Sequence, residues 1–128
     1  MKPGRFFFVN ITTFQHLFIY LNMPLTKRRN IPVESLSKMA GILKTIAHPV
    51  RLDILELLEA EKSLTVSDIK DKLGQEVETS MLSHHLIKMK DKGILVSEKK
   101  GKYIFYQLRD PHILQIFDCM QACRLIWE

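Results

Sequence analysis

The stretch TVSDIKDKLGQEVETSMLSHHLIKMKDKG, residues 65–93, holds two short helices and the turn between them. Thr65 followed three positions later by Asp68 is a variant of the capping box, which satisfies backbone N–H groups at a helix start. Ile69 and Leu73 supply the buried spacing of that helix, and Gly74 closes it. Gln75 to Glu78 form a polar turn around Val77. From Thr79 onward Leu82, Leu86 and Met89 recur at i, i+4 and i+7 until Gly93, so the second helix carries one apolar stripe. Two such helices joined by a tight turn form a helix-turn-helix, whose second member enters the major groove of DNA.

Downstream, Ile94-Leu95-Val96 and Tyr103-Ile104-Phe105-Tyr106-Gln107-Leu108 are rich in β-branched and aromatic residues, with Lys99-Lys100-Gly101-Lys102 between them. They predict a β-hairpin, with glycine supplying the positive φ of its turn. Asp110-Pro111 reads as an N-cap with proline at the first helical position. The helix it opens places Ile113, Ile116, Phe117, Met120, Cys123 and Trp127 on one face. Upstream, Leu36, Met39, Ala40, Leu43 and Ala47 mark a first helix that stops at His48-Pro49. Val50, Ile54, Leu55, Leu57 and Leu58 mark a second running to about Ala60, with Arg51, Asp53 and Glu56 mostly outside its apolar face. The fold class is mainly α with a β-hairpin wing (α+β), a winged helix-turn-helix.

A chain of 128 residues suits one domain with a tail, here a domain over 33–128 and an N-terminal arm over 1–32. Its 46% hydrophobic and 26% charged residues describe an ordinary globular protein. Nineteen Lys and Arg against 14 Asp and Glu leave a net +5. Residues 79–109 hold seven basic residues, Lys88, Lys90, Lys92, Lys99, Lys100, Lys102 and Arg109, against Asp91 and Glu98. Seven minus two is the whole excess, concentrated on the second helix of the motif and the hairpin. A phosphate-binding surface requires that localisation, because neutralised phosphates release their counterions. On a helical wheel Ser80, His84 and Ile87 face away from Leu82, Leu86 and Met89, flanked by Ser83 and Lys88, while His85 lies nearer the apolar stripe as a packing residue. Hydroxyls and imidazole reach base edges, and Ile87 suits a thymine methyl.

Cys119 and Cys123 are too few for a disulfide framework, which points to a reducing, cytoplasmic compartment. Residues 1–22 stand apart, aromatic and aliphatic but interrupted by Asn10, Thr12, Thr13, Gln15 and His16. That pattern is neither a secretory signal nor a membrane span, and the first reading of it is a translational start at Met23, ahead of an extra helix packing on a partner subunit.

Four pieces in order, Ala47 to Leu55, Ser83-His84-His85-Leu86, Met89 to Leu95 and Gly101 to Leu108, resemble the ArsR/SmtB family of bacterial winged-helix regulators. The resemblance covers about residues 34–123. It implies a homodimer whose first and last helices pair across a two-fold axis, and a repressor that leaves its operator when an inducer binds; such a dimer is expected to bind a palindrome. It also implies base reading by Thr79, Ser80, Ser83 and His84 and a wing carrying Lys99, Lys100 and Lys102, and the charge localisation adds Lys88 to these DNA-binding residues.

Some features depart from the family. The turn before Thr79 is longer than usual, and Thr65, Val66 and Ser67 replace the cysteine-containing metal motif of the arsenic and cadmium sensors. At a second family metal site, on the last helix, this chain offers Asp110, His112 and Cys123, with Ile126 at the fourth position. Those three suit zinc or another divalent metal with a shared or water ligand, whereas capping alone also explains Asp110 before Pro111. Cys119 and Cys123, one helical turn apart, are candidates for redox sensing through a bridge between protomers, since a bridge within the helix would distort it. The rival reading is a winged helix used only for protein contacts. There is no nucleophile motif and no Gly-rich phosphate loop, so an enzyme is not expected.

Overall fold

Pro49 lacks an amide proton and has a φ already suited to the first turn of a helix. In the computed structural model, which describes residues 28–123, it separates α1 (Val33–Ile46) from α2 (Pro49–Glu61). His48 caps α2, its Nδ1 accepting from the amide of Val50 at 3.2 Å. The readings made of residues 1–22, and of Ile126 and Trp127, fall outside the described residues.

The strand β1 (Leu64–Thr65) leads directly into α3 (Val66–Lys72), and Thr65 belongs to both, as strand residue and as N-cap. The capping box is complete. Thr65 Oγ1 accepts from the Asp68 amide at 3.2 Å, and Asp68 Oδ2 accepts from the Thr65 amide at 3.1 Å and its hydroxyl at 2.7 Å. These bonds, the hydroxyl's first, hold the Asp68 carboxyl below its ordinary pKa. In the turn that follows, Asp53 on α2 accepts from the amide of Gly74 at 3.0 Å, fixing the turn to the helix behind it. Next comes α4 (Thr79–Asp91), after which Gly93 adopts φ +80°.

β2 (Leu95–Lys100) and β3 (Tyr103–Leu108) pair antiparallel from Leu95↔Leu108 to Lys100↔Tyr103. That register leaves a two-residue turn with positive φ only at its first residue, Gly101 (+62°), which is the type II′ pattern. β1 adds to the free edge of β3 through Leu64↔Tyr106 and Thr65↔Phe105, giving the sheet order β1-β3-β2. The sequence does not mark this third strand. Nor is the last helix continuous: Pro111–Leu114 is a 3-10 turn capped by Asp110, and α5 (Gln115–Gln121) follows it.

The core lies where α2, α3, α4 and the sheet meet. Ile54, Leu55, Ile69, Leu82, Leu86 and Met89 all have zero exposure. Among the described residues one polar side chain joins them, His85, 5% exposed. Arg51, placed outside the α2 apolar face by the sequence, is instead half-buried: its Nε donates to His85 Nδ1 at 3.1 Å and its Nη1 to the Thr45 carbonyl at 2.6 Å. The His85 ring also lies 4.5 Å, centroid to centroid, from that of His48. Because Nδ1 accepts, the imidazole is neutral with its proton on Nε2. Burial lowers its pKa below the ordinary 6.5, aided by the charges of His48, Arg51, His84 and Lys88.

Leu86→Ala should cost about 2–5 kcal/mol in urea denaturation, since it empties the centre of the packed stripe. The His85 contribution has a definite sign. Below about pH 6.5 the unfolded chain takes up a proton that the native imidazole resists, so stability is complete above that pH and lost as pH falls towards the lowered native pKa. The urea midpoint should therefore fall between about pH 7 and 5, and fall less in His85→Gln.

Candidate nucleic-acid interface

The buried stripe of Leu82, His85, Leu86 and Met89 turns the opposite side of α4 outward. Ser80 and His84 are exposed there, Ser83 is half-buried, and Ile87 keeps 50% of its surface accessible. Thr79 opens the helix, its hydroxyl accepting from Lys70 Nζ at 2.7 Å. That bond ties the end of α3 to the start of α4 and leaves the Thr79 O–H proton to be donated. The outward side thus presents three hydroxyls, one imidazole and one aliphatic side chain, all short enough to approach base edges.

Positive charge borders this face. Lys88 and Lys90 occupy the last turn of α4, where cations also compensate the helix dipole. On the hairpin, Lys99, Lys100 and Lys102 are all exposed. Lys100 Nζ sits 3.6 Å from Glu98 Oε2, in a solvated pair that holds it only weakly, and 5.4 Å from the Phe105 ring centroid. Lys102 Nζ lies 5.3 Å from the Tyr103 ring centroid. Both ammonium groups therefore rest over aromatic faces at the hairpin end.

The last-helix set is brought together only in part. Asp110 Oδ1 lies 2.7 Å from His112 Nδ1 and also accepts from the His112 amide at 2.9 Å, so the carboxylate serves as a helix cap. Those bonds hold its pKa below the ordinary carboxylate value. Cys123 lies beyond the end of α5 and does not join the pair: among the described residues no three His, Cys, Asp or Glu side chains gather as a metal site. Cys119 is exposed, Cys123 half-buried, and both are free thiols.

A helix-turn-helix domain model matches residues 46–98. The chain is 33% identical over 93 residues to the HTH-type transcriptional regulator NmtR of Mycobacterium tuberculosis, covering 71% of this chain and 75% of that protein. It is 32% identical over 98 residues to the cadmium resistance transcriptional regulatory protein CadC of Listeria innocua, covering 77% and 78%. It is 38% identical over 79 residues to the transcriptional repressor PagR of Bacillus anthracis, covering 62% and 77%. The crystal structure of PagR matches with a TM-score of 0.61 at 35% identity, over 70% of this chain and 99% of that one. The fold, the outward face of α4 and these relatives agree: the chain belongs to the ArsR/SmtB family of winged-helix, DNA-binding transcriptional regulators.

Proposed function

We propose that this regulator is an inducer-released repressor that binds a palindromic operator as a homodimer in the cytoplasm. The observation that carries the reading is the outward face of α4, polar and short-chained, in the segment 79–109 that carries the net positive charge of the chain, with Lys88 and the hairpin lysines exposed. In this reading α4 lies in the major groove with Thr79, Ser80, Ser83 and His84 at base edges. Lys88 and the hairpin lysines Lys99, Lys100 and Lys102 meet phosphates, which position the protein without reading sequence.

The homodimer is supported by the apolar surface that the single chain leaves uncovered. On α1 only Ile46 is buried, while Val33 is 76% exposed and Leu36, Met39 and Leu43 nearly half exposed. On α5 Met120 is 46% exposed. Pairing of these two helices with their copies would cover such a surface. No helix among the described residues is long and apolar enough to cross a membrane. The proposed role contains no catalytic step.

A resident metal is not part of this reading. At the start of α3, Thr65 and Asp68 are committed to each other and to the backbone, so the thiolate chemistry of a cadmium site has no counterpart there. Asp110 and His112 are two ligands of the four that tetrahedral zinc takes, and a second copy would have to supply more. The Cys119 and Cys123 thiols remain the proposed redox pair, acting between protomers.

Gel shift against random genomic fragments should select a palindrome. If six to ten phosphates are neutralised, affinity should drop by about 10³ to 10⁵ between about 50 and 200 mM salt. A flat salt response, or binding without selection, would instead indicate a protein-contact module. On the selected operator, His84→Ala should relax base preference by about 1–3 kcal/mol at one position. Lys100→Ala should weaken all sequences alike and lower the salt slope by about one.

A further inference from the structure

Between the end of α1, the start of α2 and the last turns of α4 lies a cleft of about 380 Å³, lined by Lys44, Thr45, Arg51, Lys88, Asp91 and Lys92. Four of these six residues are cations. Among the described residues the ion pairs are Lys72–Glu61, Lys100–Glu98 and His112–Asp110, so none of the four has a carboxylate partner, Asp91 included. Helix-dipole compensation accounts for the lysines near the ends of α1 and α4 and, through the bond to the Thr45 carbonyl, for one of the five Arg51 donors. Arg51 stands in the first turn of the 13-residue α2, where the dipole disfavours a cation and no acidic residue offsets it.

Arg51 is also the half-buried member of the group. Its two hydrogen bonds go to neutral acceptors, His85 Nδ1 and the Thr45 carbonyl, and orient the guanidinium without neutralising it. Of its five N–H donors, three remain. Lys92 is drawn over the α1 backbone: a Cβ built on Gly41 would stand 2.6 Å from its Nζ. A glycine at this helical position leaves the ammonium its place.

We propose that this cleft is a phosphate-binding site. Guanidinium and ammonium donors around one space suit the oxygens of a phosphoryl group, four cations outweighing the one carboxylate, Asp91, on the lining. The phosphate comes from one of two sources, a free phosphorylated small molecule or the backbone of bound DNA, because Lys88 borders both the cleft and the outward face of α4. Only the DNA source rests on the operator-binding reading. Binding of a free phosphoester stands or falls without it.

The probe is sodium pyrophosphate, titrated at constant ionic strength into the ¹⁵N-labelled full chain. Saturable shifts are expected at Arg51 Nε and at the amides of Thr45 and Lys92. Lys44→Gln combined with Lys92→Gln should weaken binding about tenfold or more. Gly41→Ala, which displaces the Lys92 ammonium from a helix that accepts alanine, should also weaken it. On a duplex fragment, a salt slope lowered in the double variant by about 0.9 per lost contact assigns the phosphate to DNA. An unchanged slope with pyrophosphate binding lost assigns it to a free phosphoester. Pyrophosphate binding that survives the double substitution overturns the proposal. So does the absence of cleft shifts together with an unchanged salt slope.

Discussion

Helix α4 has to be anchored along one side and left clear along the other, and most of the architecture serves that requirement. Leu82, Leu86 and Met89 have zero exposure, and fully burying a side chain of this kind contributes about 1.5–3 kcal/mol. His85 extends the buried side with a polar group that is tolerable only because Arg51 satisfies it. Among the described residues every buried side-chain nitrogen and oxygen has a hydrogen-bond partner. Turning the helix by one residue, about 100°, would carry polar side chains into the core. The position of Ser80 and His84 is therefore a consequence of what is buried behind them.

Much of this was legible in sequence because it rests on local rules. The capping box at Thr65, the apolar spacing of α4 and glycines at Gly93 and Gly101 each report a backbone requirement within a few residues. The outward side of α4 follows from the same periodicity. What escaped depends on contacts between distant residues. β1 is two residues long, too short for any alternation, and exists because β3 offers an unpaired edge. Arg51 looks like a surface charge on the α2 wheel, and only its partner 34 positions away explains its partial burial. Within one chain the last-helix ligands are not gathered, and the reason is geometric. A 3-10 turn advances about three residues per turn instead of 3.6, so spacing counted along one continuous helix loses its phase after Leu114. Cys123 then lies past the end of α5, away from Asp110 and His112.

The first helix shows where a single chain is thin. With 14 residues and one buried side chain, α1 is near the length at which an isolated helix is marginal in water. Its register on the rest of the molecule comes largely from its C-terminal end, where Ile46 enters the core and the Thr45 carbonyl accepts from Arg51. The proposed homodimer would give the remaining length an apolar surface to rest on. The cationic cleft lies at that same end of α1, so an anion there would bridge α1 and α4 directly.

Thr65 is the last residue of one strand and the cap of the next helix, and it pairs with Phe105 in the middle of the hairpin. Strain applied to the lysine-tipped ribbon is thus carried by β3 into the residue that starts α3, with no slack loop between. The base of the ribbon is therefore tied to the helical half, and lifting it away at Phe105 and Tyr106 would have to unzip the two-residue strand.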